Sequence, residues 1–127
     1  MPLVRIDVPD NLANGLEAQI GDLVYDSMLE CLKVPAGDKF QILTRHAESQ
    51  IVKPKSYLGI EYSDQLIIIQ ITLNEGRDTD VKKAFYAKVA HSLHSRLGIR
   101  KEDIMISLVE VNKENWSFGD GEMQYGP

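Results

Sequence analysis

The stretch QLIIIQITL, residues 65–73, decides how the rest of this chain is read. It holds three consecutive isoleucines and no charge. A short apolar run rich in β-branched residues, bounded by polar turns, fits a central strand buried on both faces. Such a strand needs neighbours, and the chain supplies three. LVRIDV at 3–8 alternates, with Val4, Ile6 and Val8 on one face and Leu3, Arg5 and Asp7 on the other. KFQILTRH at 39–46 reads as a second strand, with Phe40 and Ile42 on one side. Another strand is expected near Ile104–Val111.

Between the strands the period changes. From Leu12, the residues Leu16, Ile20, Leu23, Val24, Met28 and Leu32 recur at spacings of three and four, with acidic and amide side chains between them. This is an amphipathic helix of about five to six turns, with Pro9, Asp10 and Asn11 breaking the strand before it and offering a cap. Gly15 and Gly21 each weaken it by about 1 kcal/mol relative to alanine. VPAGD at 34–38 ends it, because Pro35 cannot continue a helix and Gly37 suits a turn. A second helix carries Val81, Phe85, Val89, Leu93 and Leu97, with Asp78 or Thr79 as its N-cap and Gly98 as its C-cap. Residues 47–64 read as a long polar loop with a short strand near Tyr57–Ile60, and a loop of that length is often functional. The tail after Val111 carries Gly119 and Gly121 between aromatic residues and is expected to form a short hairpin.

The order is strand, helix, strand, then strand, helix, strand. It predicts one α+β domain, 1–127, built from duplicated β-α-β units at about 2–62 and 63–127. Together they form a four-stranded sheet with two helices on one face, plus the C-terminal hairpin. The other sheet face then needs a cover, and a second subunit is the economical one.

Composition excludes several classes of function. The chain has 127 residues, 43% hydrophobic and 26% charged, enough for one core. Its net charge is −5, and no more than two basic residues occur in succession, which argues against nucleic acid as a partner. Cys31 is the single cysteine, so neither an internal disulfide nor a cysteine metal cluster is expected and a reducing, cytoplasmic setting is. No signal peptide is read at the start, and no apolar run approaches the roughly 20 residues that span a bilayer. The three histidines lack metal-ligand spacing, and His91 and His94 read as helix-surface residues.

MPL at the start, VPAGD at 34–38, His46, the GR at 76–77, FY at 85–86 and WSFG at 116–119 together resemble the tautomerase superfamily, the 4-oxalocrotonate tautomerase-like proteins. The likeness is to the branch that includes malonate semialdehyde decarboxylase, and it covers nearly the whole chain. The resemblance implies that Met1 is removed and that Pro2 becomes a secondary amine serving as general base or acid on a small keto or enol carboxylate. A free α-amino group titrates near 8, roughly within reach of neutrality. With Met1 attached, the same nitrogen is an amide without a basic lone pair, and Pro2 is merely a strand-edge residue.

The resemblance further implies a homotrimer, no cofactor, and catalytic roles for Pro2, Asp38 and Arg77. Asp38 would hydrogen-bond near the proline or help to activate water; the plainer reading is a turn aspartate. Arg77, at the junction of central strand and second helix, suits a substrate carboxylate through paired hydrogen bonds, and otherwise is a solvated cap-region residue. Trp116, Phe118 and His46 are the further substrate-binding candidates, the two aromatics either walling a pocket or packing the tail. The decarboxylase pattern has a second arginine where Glu75 stands; β-keto acid decarboxylation, hydration of an acetylenic or halogenated acid and a non-catalytic small-ligand module are the alternatives.

Overall fold

The computed structural model describes residues 2–126. Strand β1 (Leu3–Pro9) leads to helix α1 (Leu16–Cys31) and strand β2 (Phe40–His46). A two-residue hairpin, β3 (Ser56–Tyr57) and β4 (Ile60–Glu61), precedes β5 (Ile67–Asn74), α2 (Thr79–Leu97) and β6 (Ile104–Val111). The four long strands form one mixed sheet in the order β2-β1-β5-β6. Within each β-α-β passage the strands run parallel, and β1 and β5 meet antiparallel at the centre. The α+β class is therefore as the sequence indicates. The paired hairpin lies in the 47–64 segment and not in the C-terminal tail, which folds instead as a 3-10 turn followed by turns.

Both helices pack on one face. Val4, Ile6, Val8, Ile67, Ile69, Ile71 and Leu73 point toward them and meet Ile20, Val24, Met28, Phe85, Val89 and Leu93 in one core. The alternation is strict because successive strand side chains point to opposite faces. The central strand is not buried on both faces within one chain. Ile67, Ile69 and Ile71 are fully buried, whereas Ile68 and Thr72 are half-buried and Gln70 is exposed.

Helix α1 starts at Leu16, a turn later than its apolar periodicity suggests. Gly15 stands at φ 81°, a left-handed conformation that interrupts helix. Arg45 satisfies the carbonyls of Leu12 and Ala13 from across the sheet, so those residues need no helical partners. Arg45 also pairs with Glu17 through Nε and Nη2, which pushes the Glu17 carboxyl down to about 2. Asp78 caps α2 by accepting the Val81 amide at 2.9 Å, and Gly98 closes it at φ 70°. Gly21, a cost to helix propensity, lies directly against the side chain of Gln41 on β2. A β-carbon there would strike the Gln41 side chain, whose Nε2 donates to the Gly21 carbonyl at 2.8 Å.

Candidate functional site

Pairing register gathers most of the candidate residues at one end of the sheet. Leu3 lies opposite Thr72 on β5 and opposite Phe40 on β2. The start of β1, the end of β5 and the start of β2 are therefore neighbours. Pro2, one residue before β1, is buried there, and the alternation of the strand puts it on the helix side with Val4. The initiator methionine, whose removal decides the chemistry of the Pro2 nitrogen, lies outside the described residues.

Arg77 follows β5 by three residues, after Gly76 at φ 127°. Its guanidinium is held by backbone. Nε and Nη2 donate to the Leu32 carbonyl at 3.0 and 2.9 Å, and Nη1 donates to the Asn74 carbonyl at 3.1 Å. Leu32 is the C-cap of α1, so Arg77 also serves a helix end that has no basic residue in its last turn. An arginine carries five N–H groups, and these bonds use three. One N–H on each terminal nitrogen is left over, and Arg77 makes no ion pair among the described residues. Nearby, Lys82 donates to Glu110 at 2.6 Å and holds its carboxyl below the ordinary range, with a smaller contribution from the charge of Arg77.

Asp38 is half-buried at the turn just ahead of β2. Its amide donates to the Pro35 carbonyl at 3.2 Å, closing the VPAGD turn. Tyr25 of α1 pins the same turn by accepting the Gly37 amide at 2.9 Å. Lys39 sits 5.3 Å from the Tyr25 ring and bonds Asp22 at 2.7 Å. The turn that presents Asp38 is thus tied to α1 on both sides.

The tail reaches the same end from β6. Trp116 Nε1 donates to the Asn74 side-chain oxygen at 2.7 Å. Its ring stacks on Phe118 at 5.2 Å, and Phe118 meets Tyr125 edge-on at 5.3 Å. A concavity of about 490 Å³ opens beneath the tail between Asn74, Glu75, Val111, Lys113 and Tyr125. Glu75 is exposed on its wall.

His46 does not join this group within one chain. Pro9 pairs with His46, which puts it at the far end of β1, about 20 Å away at 3.3 Å per residue. There its Nε2 and an Asp7 carboxylate oxygen are 2.6 Å apart on the open sheet face. A comparable concavity of about 500 Å³ also lies at that far end, between Asp10, Ala47, Val52 and Leu66, and holds none of Pro2, Asp38 or Arg77. Among the described residues no group of three His, Cys, Asp or Glu side chains could hold a metal, and no helix is long and apolar enough to cross a membrane.

Asn74, Tyr25 and Leu32 were not signalled by their own sequence surroundings. The first is an ordinary strand-end residue, the second a helix tyrosine, and the third acts through its carbonyl.

Residues 38–119 match the family model described as "Tautomerase enzyme". "Probable tautomerase YusQ" of Bacillus subtilis (strain 168) is 37% identical over 124 residues, 98% of each chain. A crystal structure of malonate semialdehyde decarboxylase inhibited by 3-bromopropiolate is 35% identical, with a TM-score of 0.88 over 97% of this chain and 93% of that one. A fused 4-OT wild-type symmetric trimer, 15% identical with a TM-score of 0.76 over 94% of each chain, shares the fold. Agreement that runs through sequence and backbone over almost the full length has one consequence: the chain belongs to the tautomerase superfamily, in its malonate semialdehyde decarboxylase-like branch.

Proposed function

We propose that this protein is a cofactor-independent tautomerase that acts on a small carboxylate carrying an enol or a carbonyl. The observation that carries the reading is Arg77: a guanidinium oriented by backbone, with two N–H groups left over, at the sheet end where Pro2 lies. The substrate carboxylate takes those two N–H groups. Once Met1 is removed, the Pro2 amine takes the hydroxyl proton of a 2-hydroxy-alkenoate as the carbonyl forms. It then returns a proton to the carbon end of the conjugated system, so the amine is regenerated. The positive charge of Arg77 favours the enolate-like transition state. Asp38 tunes the Pro2 amine or positions water, and an adjacent carboxylate favours its ammonium form. Trp116 and Phe118 wall the apolar side of the substrate.

Decarboxylation of a β-keto acid is the second reading, supported by the likeness to a malonate semialdehyde decarboxylase. Glu75 weighs against it, because the exposed carboxylate stands where that branch places its second arginine. A non-catalytic small-ligand module is the third, and a retained Met1 would favour it. Our reading includes a cytoplasmic homotrimer, with neighbouring subunits covering the open face that carries Phe40, Ile42, Met105 and Val109.

The test is direct. Intact-mass measurement of the native protein should show loss of one methionine, and Pro2→Ala should lower tautomerase activity on a 2-hydroxy-alkenoate by about 10²- to 10⁴-fold without loss of fold. Equal rates for variant and parent defeat the assignment, and a retained methionine favours the binding module.

A further inference from the structure

The tail, residues 112–126, is closed mainly on itself. Gln124 accepts the Phe118 amide and donates to the Gly119 carbonyl, each at 2.9 Å. Backbone bonds link Asn115 to Asn112, Glu122 to Gly119 and Gly126 to Met123. The stacked Trp116 and Phe118 rings, and the Tyr125 ring edge-on to Phe118, belong to the same segment. Among the described residues, a single hydrogen bond joins this segment to the rest of the chain, from Trp116 Nε1 to Asn74 Oδ1 at 2.7 Å. The concavity of about 490 Å³ lies between this segment and the paired ends of β5 and β6.

Asn74 has a second task. Its backbone carbonyl accepts from Arg77 Nη1 at 3.1 Å. Asn74 is also the last β5 residue paired to β6, opposite Val111, and the next amide, that of Glu75, donates to the Val111 carbonyl at 3.0 Å. One residue, fixed in the sheet, therefore orients a guanidinium through its main chain and an indole through its side chain.

We propose that Asn74 is a positioning residue that couples the arginine to the aromatic tail, so that an anion on Arg77 changes how Trp116 is seated. This rests on the carboxylate-binding reading of Arg77. A carboxylate on the unused N–H groups of Nη1 and Nη2 pulls the guanidinium toward itself and loosens the Nη1 bond to the Asn74 carbonyl, and the resulting shift is passed to the Oδ1 contact. The coupling would match tail placement to an occupied site, and so select substrates whose carboxylate and apolar part lie a fixed distance apart.

Trp116 is the only tryptophan in the sequence, which makes its emission a reporter of that one contact. Malonate, an unreactive small dicarboxylate, serves as the probe, with calorimetry measuring its binding independently. In the parent, saturation with malonate should shift the Trp116 emission. In Asn74→Ala the ligand-free emission should move toward that of an exposed indole, and malonate should still bind, about fivefold more weakly, without a further shift. Trp116→Phe keeps a ring against Phe118 and removes only the N–H donor. It should raise KM for the carboxylate substrate by a similar factor, and the double variant should be no worse than either single one. Calorimetric binding to the parent without an emission change, or additive effects in the double variant, overturns the coupling. Absence of malonate binding to the parent overturns the carboxylate reading, and the coupling with it.

Discussion

Two arginines sit at opposite ends of the sheet and are built alike, except in one respect. Arg45 donates to the carbonyls of Asp10, Leu12 and Ala13 and to both carboxylate oxygens of Glu17. All five of its N–H groups are spent inside the protein. Arg77 also donates to backbone carbonyls, those of Leu32 and Asn74, but forms no ion pair among the described residues. The first guanidinium is a staple that holds the β1–α1 loop. The second is half of a similar arrangement, with the place of the carboxylate left open. What separates a structural arginine from a candidate binding arginine here is the count of unsatisfied N–H groups, since both are half-buried and both brace a loop.

Substituting each arginine with lysine separates the two roles most strongly. Lysine keeps the charge and loses the planar fork. Arg77→Lys should raise KM for a carboxylate substrate by about tenfold, the scale of a lost charge-assisted hydrogen bond. Arg45→Lys should lower the melting temperature and leave KM unchanged. A KM effect of equal size at both positions would erase the distinction.

A smaller effect is expected at the loop that Arg45 holds. Gly15 stands at φ 81° with open space around it, so Gly15→Ala meets no neighbour and suffers only the left-handed backbone. The cost should be about 1 kcal/mol in a denaturant melt, with activity retained. An unchanged or raised stability would mean that the loop relaxes and that Arg45 does not fix it.

The smallest effect is in acid. The Glu17 carboxyl is depressed from 4.5 to about 2, chiefly by its hydrogen bonds with Arg45. Its stabilising contribution is complete above pH 4.5 and is lost as the pH falls toward 2. The parent should therefore lose stability across that window more steeply than Glu17→Gln. Parallel acid profiles would show that this half-buried pair contributes nothing measurable.

The parts of the fold legible in the sequence are those encoded locally. The alternation of LVRIDV, the Asp78 cap and the Gly98 stop each depend on residues within a few positions, and each is found where the pattern puts it. The parts misread depend on partners far along the chain. The start of α1 was displaced by Arg45, some thirty residues away, taking carbonyls that helix periodicity assigns to the first turn. The isoleucine run implies burial on both faces with a second subunit as the other cover, and the single chain buries one of those faces. The candidate site divides in the same way. Family motifs marked Pro2, Asp38, Arg77 and Trp116, and strand register brings the segments that carry them to one end. The motif-matched His46 is carried to the other end by the parallel pairing of β1 with β2. Asn74 and Tyr25 could not be marked from sequence, because the side-chain contact of each is more than ten residues distant.

The central claim is that the open N–H groups of Arg77 receive the substrate carboxylate beside Pro2. Steady-state kinetics of Arg77→Ala on a carboxylate substrate and on its neutral ester test it most directly, because any general loss of fold affects both substrates alike. The account predicts a rise in KM of about 10- to 100-fold for the acid and little change for the ester. Equal changes for acid and ester would contradict it.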